Sequence, residues 1–261
     1  MRGRCQVMSC SGLDPAVAPD RLQQRRKKFG TKLMSAPDDL PAGRKRKPGS
    51  VRGLEALGRE RLSRHFFMRD FLYSEIGNFF QIQNIPDDPN LALYAGRKLA
   101  SELLDPLVET FGPIAVRSAY RSPAVNGYGA EHNLGCASNE ANRAGHIWDQ
   151  RDPDGNCGAC TSVVIPWFAD QYEKGRDWQD LAWWLYDHLD FHAIFFFPKR
   201  AAFNLTWREN PERRISSWIG PDRVILRPGD TLPPIEERQG RYTDFPPFRG
   251  VQYPELPQRY R

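Results

Sequence analysis

The sequence predicts an α+β fold, and three features carry that prediction. Residues 91–111 spell a long amphipathic helix, with Ala95, Leu99, Leu103, Leu107 and Phe111 recurring at four-residue spacing. Short apolar segments read as strands: Ile114 and Val116 alternate ahead of Ser118, Val163-Val164-Ile165 is a compact run, and Ala193-Ile194-Phe195-Phe196-Phe197 is apolar throughout. Helices and strands then follow one another in mixed order, without the regular alternation that builds a parallel sheet.

Charge divides the chain before any element is considered. Residues 1–65 hold 16 Lys/Arg against 6 Asp/Glu, which leaves 21 against 26 for residues 66–261. The overall excess of +5 therefore belongs to the beginning of the chain, and the remainder is mildly acidic. Residues 1–64 are read as a disordered basic tail, too polar to join a core. Its runs Arg25-Arg26-Lys27-Lys28 and Arg44-Lys45-Arg46-Lys47 are where nucleic acid or an anionic surface would bind, and elsewhere no nucleic-acid contact is expected. The opening Met1-Arg2-Gly3-Arg4-Cys5 is basic but lacks the apolar stretch of a signal peptide, and no run approaches the roughly 20 apolar residues of a membrane span. A cytoplasmic, membrane-free protein is the expectation. Five cysteines, two of them at Cys5 and Cys10, do not suggest a disulfide framework.

The folded domain is read as residues 65–227. It opens on Phe66-Phe67-Met68-Arg69-Asp70-Phe71-Leu72, dense enough in aromatics to pack on a core. Asn84-Ile85-Pro86-Asp87-Asp88-Pro89-Asn90 supplies a turn and an N-cap for the long helix, and Gly112-Pro113 ends it. A strand follows at Ile114 and breaks at Ser122-Pro123. Some forty residues rich in Gly, Asn, Asp, Cys and His then separate this strand from Val163, and a connection of that length inside a domain is usually functional. Residues 177–189 form a second helix with Trp178, Leu181, Leu185 and Leu189 on one face. The apolar run at Phe195 reads as a central strand and residues 202–207 as another. Residues 213–226 hold a helical turn and a short strand, and the proline-rich residues 228–261 an extended tail lying on the body or loose in solvent.

Phe71-Leu72-x-Ser74, Asn84-x-Pro86, Leu103-Leu104-Asp105-Pro106-Leu107 and above all Ser118-x-Tyr120-Arg121-Ser122-Pro123-x-x-Asn126 resemble the zinc D-alanyl-D-alanine carboxypeptidase family. That resemblance implies the Hedgehog/DD-peptidase fold, a small and mostly antiparallel sheet packed on helices. It implies a cell-wall (peptidoglycan) peptide as partner, a zinc cofactor, and release by lysis if the chain is of phage origin. It also places Arg121 at the substrate end of the cleft, where a guanidinium can fork onto a terminal carboxylate, supported by Tyr120 and Asn126. A structural arginine paired with an acidic loop residue is the competing explanation.

The family's zinc pattern is only partly present. His146 is the best counterpart of the first ligand, whereas Ser162 falls where the metal-binding aspartate belongs; His132 fits the spacing as well but leads only to Asn139. The late Trp-His pair becomes Trp207-Arg208, and a guanidinium cannot ligate zinc. Zinc hydrolysis needs three protein ligands, an open position and a carboxylate to move protons. Asp149 or Asp152 and His192 are the residues that would complete the set with His146, and Glu209 is the nearest carboxylate for the base. A different metal set, His132, Cys136, Cys157 and Cys160 with His146 as an alternate, rests on the Cys157-Gly158-Ala159-Cys160 spacing, which also suits a redox pair or two small buried cysteines. Three functions stay open: a divergent metallopeptidase, an inactive peptide-binding relative, and a zinc-stabilised interaction protein.

Overall fold

A computed structural model describes residues 45–255. Order begins well ahead of Phe66. α1 (Val51–Gly58) is capped by Ser50, whose hydroxyl accepts from the Gly53 N–H (3.1 Å). Leu57 and Leu62 are buried in the main core. The boundary placed at residue 64 is thus corrected to at least residue 45; the earlier part of the tail, with the run at Arg25, lies outside the described residues. In the second basic run, Lys45 pairs with Glu60 and Lys47 with Asp87 (2.6 Å), so part of that charge holds the segment to the body.

A 3₁₀ turn (Met68–Phe71) and α2 (Glu75–Phe79) lead to the long helix, which is interrupted once. α3 (Pro89–Lys98) starts on Asp88, whose carboxylate accepts from Asn90 and Leu91 N–H (3.0 and 3.1 Å). Residues Leu99–Leu104 are π-helical, and α4 (Asp105–Phe111) follows. The cause is Pro106: its ring cannot sit over a normal i−4 carbonyl, so the Asp105 N–H reaches back five residues to Ala100. The Asp105 carboxylate accepts from the Ser63 hydroxyl (2.7 Å) and the Arg64 N–H (3.0 Å), fastening the segment after α1 to this helix.

Six strands form one sheet: β1 (Ala115–Ser118), β2 (Gly158–Val164), β3 (Ala193–Phe196), β4 (Phe203–Arg208), β5 (Arg214–Ser217) and β6 (Val224–Leu226). Their spatial order is β1-β2-β4-β3-β5-β6, antiparallel throughout except for β3 beside β5. The mixed α and β class is as the sequence predicts. The helical turn expected within residues 213–226 is instead two strands. Between β1 and β2 the chain holds α5 (Pro123–Glu131) and α6 (Asn139–Asn142), so Ser122-Pro123 starts a helix where the sequence suggests only a strand break. Ser122 caps it through the Val125 N–H, and proline is tolerated at the first helical position.

After β2 come α7 (Pro166–Tyr172) and α8 (Trp178–His188), and α9 (Ile235–Gly240) lies in the proline-rich region. Of the two placements read for that region, the described part lies on the body. Arg238 pairs with Asp187 (2.7 Å) in a setting where both are largely buried, and Tyr242 donates to the same carboxylate (2.8 Å). Arg249 reaches Glu109 at 2.7 Å. No helix among the described residues is long and apolar enough to cross a membrane.

The two faces of the sheet differ in chemistry. Ala159, Val163, Ile194, Phe196, Phe203, Leu205, Trp207 and Ile215 point into the core, against Leu99, Leu103 and Leu107 of the long helix and the tryptophans of α8. Alternation puts Cys160, Ser162, Asn204, Thr206, Ala193 and Phe195 on the other face, most of them half-buried. Leu103 is completely buried in the layer between helix and sheet. Leu103→Ala is expected to cost about 2–5 kcal/mol in urea denaturation; a loss below about 1 kcal/mol would remove this interface as the centre of the core.

Candidate functional site

β1 ends at Ser118, and the next residues are held from two sides. The side chain of Asn84 donates to the carbonyls of Leu72 (3.0 Å) and Tyr120 (2.9 Å) and accepts from the Ser122 N–H (2.7 Å). From the other side, the Arg121 N–H donates to the His146 carbonyl (2.8 Å), and His146 Nδ1 lies 2.7 Å from the Ala119 carbonyl. Residues 144–146 run along the edge of β2 where β1 has ended, with the Cys160 N–H on the Gly145 carbonyl (2.9 Å). Gly158 makes that approach possible, because a Cβ there would stand 2.3 Å from the Ala144 carbonyl oxygen.

These supports place three groups on the polar side of the sheet. Arg121 is only 9% exposed. Its Nη1 donates to Asn126 Oδ1 (3.1 Å) and to Cys136 Sγ (2.8 Å), and no carboxylate lies within ion-pair distance among the described residues. Asn126 accepts in addition from Asn142 (3.1 Å) and donates to the Ala137 carbonyl (3.0 Å) and Asn139 (2.8 Å), which wraps residues 136–142 around the guanidinium. The acidic loop partner considered for Arg121 is absent among the described residues.

His146 is buried beside this cation. The bond to Ala119 assigns the ring proton to Nδ1, leaving Nε2 a bare acceptor that is buried and has no partner. Burial, reinforced by Arg121, pushes its pKa down to about 3, so the ring is neutral. Cys160 is the third group: burial pushes its thiol up to about 11, against the Thr206 hydroxyl and the Arg121 and Arg208 charges.

Asp149 engages the turn before α3 through one oxygen only, and its Oδ1 is buried with no partner among the described residues. Its Oδ2 accepts from Asp87 N–H (2.7 Å) and from the hydroxyl of the buried Tyr120 (3.2 Å), clasping the turn before α3. Burial raises its pKa in spite of these donors. Tyr120 is accordingly a support and not a cleft-lining group. Asp152 accepts from the Asn156 N–H (2.8 Å) and pairs with Arg208 at 3.6 Å. His192 sits 3.1 Å from the Asn210 carbonyl and 4.0 Å from Glu212, bracing the connection between β4 and β5, and burial lowers its pKa. Glu209 accepts from the Cys157 N–H (2.7 Å) and the Tyr94 hydroxyl (3.1 Å), with Arg151 at 3.7 Å. Both oxygens of the residue read as a base are thus engaged in structure.

The cysteine set does not converge either. Cys157 and Cys160 are three residues apart along extended chain, an odd separation that sends them to opposite faces; Cys157 joins the core and Cys160 the polar side. His132 is exposed and stacked on Tyr128 (3.9 Å). Among the described residues no three His, Cys, Asp or Glu side chains are placed to hold one metal ion.

Strand register identifies a residue that the sequence pattern does not mark. Arg208 lies opposite Gly158 and secures residues 143–144 through their carbonyls (3.3 and 3.2 Å). Asn204 is the residue opposite Ser162, and the Ser162 hydroxyl is hydrogen-bonded to Asn204 Oδ1. The Trp207-Arg208 pair lies at the other end of β4. Only the pairing of β2 with β4 finds Asn204. The residues on this face do not fit a zinc centre: His146 Nε2 is one good donor, but a hydroxyl and a carboxamide bonded to each other replace the harder-charged ligands.

Comparison with protein-family models, with curated proteins and with solved structures finds no match for this chain.

His146 sets an acid limit on stability. The unfolded histidine takes a proton near pH 6.5, while the folded one refuses it down to about 3. Its contribution is therefore complete above about pH 6.5 and is lost progressively as pH falls from there through about 3. His146→Gln keeps an N–H for Ala119 and does not titrate. It is expected to lower the midpoint of acid unfolding followed by circular dichroism; an unchanged midpoint would assign the transition to another group.

Proposed function

We propose that this chain is a peptide-binding module on a DD-peptidase-like fold, and that Arg121 takes the terminal carboxylate of a cell-wall (peptidoglycan) peptide. The observation that carries the proposal is the buried guanidinium with no anion among the described residues. A charge withdrawn from water is normally paired, because its lost hydration is otherwise uncompensated. Asn126 and Cys136 offer Arg121 only weak acceptors, and both bonds leave from Nη1. The remaining donors of the fork suit a carboxylate. His146, buried beside this cation, keeps a neutral ring whose Nε2 has no partner among the described residues.

Binding is favoured over hydrolysis by the donor set. Ser162 and Asn204 lie on the polar face as a hydroxyl and a carboxamide bonded to each other, and one oxygen of Asp149 and both of Glu209 are engaged by backbone N–H groups and tyrosine hydroxyls. The bare Nε2 of His146 is the one feature on the side of a zinc peptidase.

Calorimetric titration of the whole chain with an N-acylated peptide ending in D-Ala-D-Ala, and with its C-terminal amide, tests the proposal. A charge-assisted contact of about 1.5–3 kcal/mol makes the acid bind roughly 10- to 150-fold more tightly than the amide, a preference expected to vanish in Arg121→Gln. Equal affinity for acid and amide would refute the role of Arg121. One zinc per chain together with release of D-alanine would replace binding by catalysis.

A further inference from the structure

Beside the Ser162–Asn204 pair the same face of the sheet turns aromatic. Phe195 pairs with Asn204 across β3 and β4, and its ring packs edge-on against Phe197 (5.2 Å) and Trp218 (5.4 Å). Phe197 and Trp218 are in contact at 5.3 Å. Trp218 is 61% exposed, yet its backbone is fixed. Its N–H donates to the Phe196 carbonyl (2.9 Å), and the next N–H, of Ile219, donates to Ser217 Oγ (2.7 Å). A large aromatic ring held rigidly in the open is unusual for a surface with no partner.

Two further features border the patch. Ser162 occupies Asn204 Oδ1, while the Nδ2 of Asn204 has no partner among the described residues. Cationic residues border the segments that carry the rings. The turn bearing Lys199 is closed by the Phe197 N–H on the Ala202 carbonyl (2.7 Å), and Arg223 is brought in by the Ser217 N–H on its carbonyl (2.6 Å). Arg214 pairs with Ala193 one row away. Lys199, Arg214 and Arg223 are exposed, and none has an ion-pair partner among the described residues.

We propose that Trp218, with Phe195 and Phe197 behind it and Asn204 beside it, is a stacking subsite for one sugar ring of an anionic polysaccharide. The inference rests on the peptide reading above and extends it: the polysaccharide is the one that carries the peptide held at Arg121. An indole face matches the C–H face of a pyranose ring, the free Asn204 amide matches a ring hydroxyl or an N-acyl oxygen, and the three cations match free carboxylates of the peptides that the polymer carries. Ser162 and Phe195 lie two strands apart, about 10 Å at the usual strand spacing, which is room for a ligand continuing from one site to the other. A single-stranded nucleic acid is also anionic and ring-bearing, but it needs a succession of open aromatic faces. Here the rings pack on one another and leave one indole widely exposed.

The test compares four probes against the whole chain by calorimetry: the bare D-Ala-D-Ala peptide, a disaccharide-peptide fragment of peptidoglycan ending in the same residues, an N-acetylglucosamine tetramer, and a twelve-residue oligothymidylate. The disaccharide-peptide is expected to bind about tenfold or more tightly than the bare peptide. Trp218→Ala should abolish that gain without changing the affinity for bare peptide. Equal affinities for the two peptides, or an undiminished gain in Trp218→Ala, would overturn the subsite. Oligothymidylate bound more tightly than either sugar probe, through Trp218, would overturn it in favour of nucleic acid. Sugar binding that depends on Trp218 with no binding of bare peptide would sustain the subsite while refuting the role of Arg121, and no binding of any probe would refute both.

Discussion

The site is organised around a guanidinium that is removed from water and answered only by dipoles. Arg121 bonds to an amide oxygen and a thiol, and no acidic side chain reaches it among the described residues. Several surrounding contacts meet at that charge. Asn126 is fully buried and shares its oxygen between Arg121 and Asn142, which fixes the connection from Cys136 to Asn142. Gly129 is small because Cys136 Sγ lies where its Cβ would be, at 2.5 Å. His146 stays neutral because burial and this neighbouring cation both oppose its protonation.

The sheet serves two chemistries because alternation separates them. One face carries Phe203, Leu205 and Trp207 into the core, and the other presents Asn204, Thr206 and Arg208. Parity is also what defeats the metal sets. Cys157 and Cys160 cannot share an ion from opposite faces, and Asp149 turns toward the Asp87 backbone instead of the sheet. What the polar face presents is one bare histidine nitrogen, a hydroxyl–carboxamide pair and an aromatic cluster.

Several elements were legible in the sequence because their signals are local. The four-residue spacing from Ala95 to Phe111, the face of Trp178, Leu181, Leu185 and Leu189 and the apolar run at Phe195 point to helices and strands close to those observed. The motif around Arg121 marks the residue on which the functional proposal rests. Signals that depend on tertiary partners were lost. Lys45 and Lys47 look like solvated charge but find Glu60 and Asp87, and Arg238 looks like part of an extended tail but finds Asp187. Asp149 and Glu209 look like free carboxylates, and only the fold reveals the N–H groups that occupy them. Asn204 has no signal at all until the register sets it opposite Ser162.

The most direct measurement of whether Arg121 serves a ligand or the fold is the stability of Arg121→Met in urea at neutral pH without ligand. Met fills much of the same volume, and Asn126 Oδ1 retains Asn142 as a donor. An uncompensated buried charge predicts that the variant is as stable as the parent or more stable, by up to about 1–4 kcal/mol. A loss of about 3 kcal/mol or more would show that the guanidinium is part of the structural network, and would contradict the account.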